Sequence, residues 1–262
     1  DQVREAWRAG GASAVGGDLI VDCIIPARDE EQTVAANVRA ALGCRHVREV
    51  IVVDDGSVDG TGDVAAAAGA KVVRLEGSAG SKAHALRAGV DATDADVLLF
   101  ADADCIGLRA GHLDAVVEPV LEGRAALSIG TFDYGRFWNP QVLRWPPLSG
   151  ERCVPRAVFD AIPAWKLDGY TVEVRLNEVA CEGGLPISIR TLVGVTHRTK
   201  RDKFGTREGL RRTWWMYRAL LGMVKPWGDV RLRTYAAYLL LLTVEDPAAP
   251  SESGAATSQI ET

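Results

Sequence analysis

Asp102 and Asp104, in the run "LLFADADC" from Leu98 to Cys105, stand two residues apart directly after an apolar stretch. Two carboxylates this close repel each other, and holding either at the mouth of a buried strand is costly without a partner. In an extended segment this spacing sends both side chains to one side. Hard oxygen ligands so placed suit Mg²⁺ or Mn²⁺, which keep positions open for water and phosphate oxygens. A divalent cation, itself held against a diphosphate, would offset the repulsion. The bland alternative is a capped turn. Two other polar clusters also follow apolar runs, "PARDEE" from Pro26 and "DDGSVDGT" from Asp54. Asp and Gly are ordinary turn residues, so one such cluster carries little. Three on one rim point to a ligand, because open parallel sheets bind beyond the carboxyl ends of their strands.

The elements that must position these clusters alternate in type. "LIVDCIIP" is a strand stopped by Pro26, and "DEEQTVAANVRAAL" a helix with Asp29 as its cap and Val34, Val38 and Leu42 at helical spacing. "EVIVVDDGS" is the second strand. A helix from about Thr61 leads to the strand "KVVRL", Ser81 caps the helix "KAHALRAGVDA", and "DVLLF" is the fourth strand. Continuous apolar strands joined through helices imply an α/β fold, a parallel sheet covered on both faces. Beyond Cys105, "HLDAVVEPVLEG" and "TVEVRLNEVACEGG" read as helices, "AALSIG" and "ISIRTLVGVTH" as strands, and the aromatic, Pro-rich stretch 131–155 as loop.

Composition bounds the function. The 262 residues carry a net charge of −5, which argues against a general nucleic-acid binder. Five scattered cysteines, with no CxxC pair, suit reduced thiols in a cytoplasm better than a disulfide frame or a zinc site. No signal peptide is legible, and the best apolar stretch, "YAAYLLLLTV", is far short of the roughly 20 residues needed to span a bilayer. From His197 to Arg212 seven Lys or Arg face two acids, running into the amphipathic helix "REGLRRTWWMYRALLGM". Trp214, Tyr217 and Leu221 share a stripe of that helix, which could pack on the domain, form a homodimer or lie on anionic lipid as a peripheral membrane contact.

"IIPARDEE", "VIVVDDGSVDGT" and "LLFADAD", taken in this order, resemble the nucleotide-binding half of a GT-A glycosyltransferase using nucleotide-sugar donors, over about residues 19–105. In the second half, "PLSGE" at 147–151, "DGYTVEVRLNEVA" at 168–180 and "LVGVTHRTK" are similar to runs of the glucosyl-3-phosphoglycerate synthases, more than to dolichyl-phosphate mannosyltransferases. Residues 1–18, rich in Gly and Ala and weakly patterned, read as a lead-in, and from Glu245 the chain loses its hydrophobics, so 245–262 read as a disordered tail. The resemblance implies a Rossmann-like GT-A sheet with a nucleotide-sugar-binding half over 19–130 and an acceptor-binding half over 131–244. It implies that Pro26, Ala27, Arg28 and Glu30 line the nucleobase and ribose pocket, with Asp54, Asp55 and Ser57 below a uracil. Lys82 would approach the donor, with Asp102 and Ala103 near the ribose. Asp104 and His197 would hold Mg²⁺ or Mn²⁺, and Glu173 the sugar hydroxyls.

The implied activity is hexose transfer from a UDP-sugar to a hydroxyl-bearing small-molecule acceptor, retaining as in the family. If the chemistry is inverting instead, Asp168 and Glu173 are the candidate bases. The family's Gly- and Arg-rich acceptor segment is not recognisable here; "TFDYGRFWNPQVLRW" stands in its place, which puts 3-phosphoglycerate in doubt as acceptor. The competing enzyme is an inverting transferase to a polyprenyl phosphate at a membrane surface. A nucleotidyltransferase would need a Gly- and Arg-rich triphosphate loop where the acidic "PARDEE" stands, and a phospho-receiver should be about half as long.

Overall fold

The computed structural model describes residues 2–7, 19–76, 81–144, 149–167, 172–197 and 232–249. Its strands are β1 (Val21–Ala27), β2 (Val47–Asp54), β3 (Lys71–Arg74), β4 (Val97–Phe100), β5 (Cys105–Ile106), β6 (Leu127–Thr131), β7 (Arg152–Pro155), β8 (Ile187–Thr191), β9 (Thr196–His197) and β10 (Leu242–Val244). The helices are α1 (Gln2–Trp7), α2 (Val34–Leu42), α3 (Thr61–Ala67), α4 (Lys82–Asp91), α5 (Ala110–Leu121), α6 (Asn139–Val142), α7 (Arg156–Asp160), α8 (Val172–Gly183) and α9 (Leu232–Leu241). Eight strands make one sheet in the order β10-β8-β6-β7-β4-β1-β2-β3, and β5 pairs with β9 in a separate ribbon.

Period-two alternation assigns successive strand residues to opposite faces, and here both faces are covered. Cys23 and Ile25 of β1, with Val50, Val52 and Leu99, join the core under α2 and α5. Ile24, Ile51, Val53, Leu98 and Phe100 join the other, under α4, α7 and α8. That two-sided burial is why the strands read as unbroken apolar runs. Asp22 breaks the run of β1, and its buried carboxylate is satisfied by the guanidinium of Arg48 at 2.6 and 3.1 Å, by Glu49 N–H at 3.1 Å and by the Thr93 hydroxyl.

Four local expectations need correction. β1 to β4 are mutually parallel as expected, but the stretch 131–155 is not all loop: β7 lies within it, antiparallel between β4 and β6, and makes the whole sheet mixed. Four residues including Arg152 and Pro155 give too little apolar pattern to read as a strand; the Arg152 guanidinium is nonetheless buried, bonded to Ser149 O at 2.7 Å and Asn177 Oδ1 at 2.8 Å. Asp29 does not cap α2, which starts at Val34. Asp29 instead takes a left-handed φ of 55°, and its carboxylate accepts from Val58 N–H at 2.9 Å. Residues 245–249 are ordered along β8: Glu245 N–H bonds Ile189 O and Ala248 N–H bonds Thr191 O, both at 2.9 Å. Backbone pairing at a sheet edge holds them, which a loss of hydrophobics does not exclude. Within the lead-in, α1 is helical, and Arg4 caps the end of α8 through Gly183 O and Gly184 O at 3.1 and 2.9 Å.

The basic aromatic helix with Trp214, Tyr217 and Leu221 lies outside the described residues, as does Asp168. Among the described residues no helix is long and apolar enough to cross a membrane.

α4 lies close enough to β1 and β2 that Gly89 has no room for a side chain. A Cβ there would overlap Ile24 Cγ2 and stand 3.0 Å from Val53 Cγ2. Ala in place of Gly normally stabilises a helix interior by about 1 kcal/mol. Here overpacking, at about 1–3 kcal/mol, should win. Gly89→Ala is expected to lower the urea midpoint, and a raised midpoint would contradict this packing.

Candidate active site on the carboxyl rim of the sheet

β1, β2 and β4 run in the same direction, so Pro26–Ala27, Asp54 and Phe100 finish on one rim. The loops beyond them interlock. Asp55 N–H bonds Ala27 O at 2.9 Å, and Asp29 N–H bonds the Ser57 hydroxyl at 3.1 Å. Glu30 is buried, its N–H bonded to Thr61 Oγ1 at 2.8 Å and its carbonyl accepting the first N–H groups of α2. Arg28 is exposed. The two acids of "DD" separate by task. Asp54 folds the turn, accepting from Ser57 N–H at 3.0 Å and facing Arg74 at 3.7 Å. Asp55 is 5 % exposed, and its Oδ1 is buried with no hydrogen-bond partner among the described residues. A buried carboxylate oxygen left so is costly unless a ligand's N–H or O–H meets it.

Lys82 opens α4 directly after the Ser81 cap, where the helix dipole disfavours a cation. Two carboxylates outweigh the dipole. The Lys82 ammonium lies 2.6 Å from Asp102 Oδ1 and 2.7 Å from Glu173 Oε1 in the first turn of α8. Burial alone would depress its pKa, but these charges hold it well above the ordinary lysine value. Pro26, Leu86, Phe100 and Val172 wall the cleft around this triad, and Gly150 closes one side. A Cβ on Gly150 would fall on the Asp102 carboxylate.

The acid loop differs from expectation in conformation. β4 ends at Phe100 and residues 103–104 form a turn, so the two acids are not displayed from one extended segment. Asp102 has its countercharge in Lys82, and the repulsion that called for a cation is met there by protein. Asp104 leads into β5, whose Cys105 lies opposite His197 in the antiparallel ribbon with β9. That register brings Asp104 and His197 to the same end of the ribbon although 93 residues separate them in sequence. The His197 ring is exposed and stacks on Phe132 with centroids 4.6 Å apart. Among the described residues no group of three or more His, Cys, Asp or Glu is arranged to hold a metal. A carboxylate and an imidazole on one ribbon fit a cation that takes few protein ligands and fills its remaining positions with phosphate oxygens and water.

Two residues that sequence reasoning gave no role support this loop. Asn37, buried on α2, donates through Nδ2 to Ala103 O at 2.8 Å and Cys105 O at 3.1 Å, clamping the turn from both sides of Asp104. The signal was a polar residue on the apolar stripe between Val34 and Val38. Glu151, at the end of the recognised "PLSGE" run, lies beneath the loop with Arg152 beside it. Its carboxylate accepts from Asp102 N–H at 3.4 Å, Cys105 Sγ at 2.9 Å and the Ser149 hydroxyl at 2.6 Å. Burial first, and the charge of Asp102 next, push Glu151 up to about 7 from an ordinary 4.5. The folded chain therefore keeps a proton that the unfolded chain has released, and stability falls as pH rises from about 4.5 to about 7. Glu151→Gln removes that dependence. The melting temperature of the variant relative to the parent should climb between pH 5 and pH 8, and a flat difference would count against a buried, protonated Glu151.

Comparison with known proteins agrees with this architecture. The family model of glycosyl transferase family 2 matches residues 22–157. Glucosyl-3-phosphoglycerate synthase of Mycobacterium tuberculosis (strain ATCC 25618 / H37Rv) is 30 % identical over 137 residues, 49 % of this chain and 42 % of that protein. The 4,4'-diaponeurosporenoate glycosyltransferase of Staphylococcus aureus (strain MRSA252) is 34 % identical over 109 residues, 40 % of this chain and 29 % of that one. The chain thus spans less than half the length of these curated relatives. Among solved structures, the M. tuberculosis glucosyl-3-phosphoglycerate synthase in complex with Mn²⁺, UDP and glucosyl-3-phosphoglycerate superposes with a TM-score of 0.64 at 27 % identity, covering 84 % of this chain and 80 % of that one. The family match takes in every strand from β1 to β7 together with the rim acids Asp54, Asp55, Asp102 and Asp104, and on this basis the chain belongs to glycosyl transferase family 2.

Proposed function

We propose that this chain transfers a hexose from a UDP-sugar to the hydroxyl of a small-molecule acceptor, with Mg²⁺ or Mn²⁺ and with retention at the anomeric carbon. The carrying observation is the Lys82 ammonium, held charged at the sheet mouth between Glu173 and Asp102, the latter on the loop that leads through Asp104 into the ribbon carrying His197. A fixed cation in a water-poor cleft stabilises charge that grows on a departing diphosphate, because preorganised charge costs no reorganisation during reaction. The bound metal would supply the same kind of stabilisation as a Lewis acid.

The donor's parts find partners along the rim. The orphan Oδ1 of Asp55 matches the imide N–H of uracil, with Ser57, Ala27 and Pro26 beside it. Asp102 and Ala103 fall where the ribose follows, Arg28 and Glu30 edge the pocket, and Asp104 with His197 hold the cation. Glu173 orients the sugar through its hydroxyls. It also holds Lys82, so it acts as a positioning group for both. In the reaction the acceptor oxygen bonds to the anomeric carbon while the bond from that carbon to the β-phosphate oxygen breaks. The electron pair leaves with UDP, and the acceptor proton passes to the departing phosphate oxygen. That course needs no dedicated base, consistent with Glu173 being engaged by an ammonium at 2.7 Å. The relatives support the donor and metal assignments, since the M. tuberculosis synthase has been solved with Mn²⁺ and UDP-glucose.

Asp104→Ala is expected to abolish the rise in melting temperature that UDP with Mn²⁺ produces in the parent, since a ligand stabilises only what it binds. It should also cut UDP-glucose turnover by about 10²-fold or more. An unchanged thermal shift would remove Asp104 from the metal site. Retention is checked by NMR of the product's anomeric proton, and a product of wholly inverted configuration would transfer the base role to a carboxylate such as Asp168.

A further inference from the structure

The loop after β6 emerges on the same rim as the acid loop, because β6 and β4 are both antiparallel to β7 and so point the same way. Its root is bound to the ribbon that carries His197. Phe132 stacks on the His197 ring, and Asp133 N–H bonds Val195 O at 2.8 Å. The Asp133 carboxylate accepts from Gly194 N–H, Gly135 N–H and Asn139 Nδ2, each at 2.9 Å, and Asn139 Oδ1 accepts from Tyr134 N–H at 2.8 Å. The backbone of this loop is therefore fixed by hydrogen bonds of its own.

What the fixed loop displays is apolar. Tyr134 is 47 %, Phe137 72 % and Trp138 59 % exposed, and the rings of Phe137 and Trp138 meet edge to face at 5.2 Å. Two large aromatic side chains, Phe137 and Trp138, left mostly in water on a rigid loop forgo burial that the fold could have used, and such patches mark ligand surfaces. Recognition of a small phosphorylated acid would call for converging cationic or N–H groups. This loop offers exposed Arg136 alone between Phe132 and Val142, while the one acid near its root, Asp133, is already saturated.

We infer that the loop Phe132–Val142 is the acceptor platform of this site and that its acceptor is an alcohol with an apolar body, laid against Phe137 and Trp138. The inference rests on the donor reading above and deepens it by naming the acceptor class. The loop's preformed backbone means that little ordering entropy is lost when such a body docks.

Two glucosides serve as product probes, methyl and n-octyl, the latter below its micellar concentration, tested as inhibitors of UDP-glucose turnover with Mn²⁺. The octyl compound should inhibit at least tenfold more tightly than the methyl compound in the parent. In Phe137→Ala/Trp138→Ala that advantage should shrink to within about twofold, with the unliganded melting temperature unchanged because both side chains are exposed. Equal inhibition by the two glucosides overturns the inference, as does an octyl advantage that survives the double substitution. So does a UDP release rate that rises with 3-phosphoglycerate and not with n-octanol. Binding to lipid vesicles that vanishes in the double variant, without an octyl advantage, assigns the rings to a membrane and also overturns it. A parent that shows no thermal response to UDP with Mn²⁺ fails at the donor step instead, which separates the two readings.

Discussion

A cation placed between two carboxylates in a cleft of low dielectric sets the charge balance of the whole rim. Lys82 is brought there by the first turn of α4, Asp102 by the turn after β4, and Glu173 by the first turn of α8. None of the three could be buried alone at reasonable cost. Together they tie a helix from each half of the chain to the central acid loop. Removing Lys82 would leave two carboxylates facing each other without a countercharge, and this makes it a structural requirement as well as a source of field. Gly150 is part of the same requirement, since any side chain there would take the space of the Asp102 carboxylate.

Beneath this triad the acid loop is held by neutral hydrogen bonds. Asn37 grips the carbonyls of Ala103 and Cys105, and Glu151 receives Asp102 N–H and the Cys105 thiol. Cys105 is thus pinned from below while its neighbour Asp104 stays at the rim. A loop that carries like charges close together needs such clamps, because electrostatic repulsion would otherwise splay it. The orphan oxygen of Asp55 across the rim shows the complementary case: a polar atom left unsatisfied by the fold, where a bound ligand is the natural partner.

Much of this was legible in the residues. Each of β1, β2 and β4 ran from apolar to acidic at its end, because the sheet is buried on both faces and the ligand rim begins where burial stops. The ordered trio of acidic runs led to the correct sheet and to the family. Where legibility failed, the reason was local. β7 is four residues long and begins with a buried arginine, whose burial depends on Ser149 and on Asn177 of a helix later in the chain. The left-handed turn at Asp29 is set by contacts with Ser57 and Val58 across the rim, and no local cap rule encodes those. The pairing of Asp102 with Lys82 was likewise beyond spacing arguments, which treated the two acids as equivalent.

The reversed strand at the middle of the sheet bears on how the polypeptide is made. β4 pairs on one side with β1, which precedes it, and on the other with β7, which follows some fifty residues later. Until Arg152–Pro155 leaves the ribosome, Val97–Phe100 keeps an open edge of four apolar residues, the kind of edge that templates pairing with a neighbouring chain. Nascent chains stalled inside this interval are therefore the ones most exposed to aggregation and most in need of a chaperone.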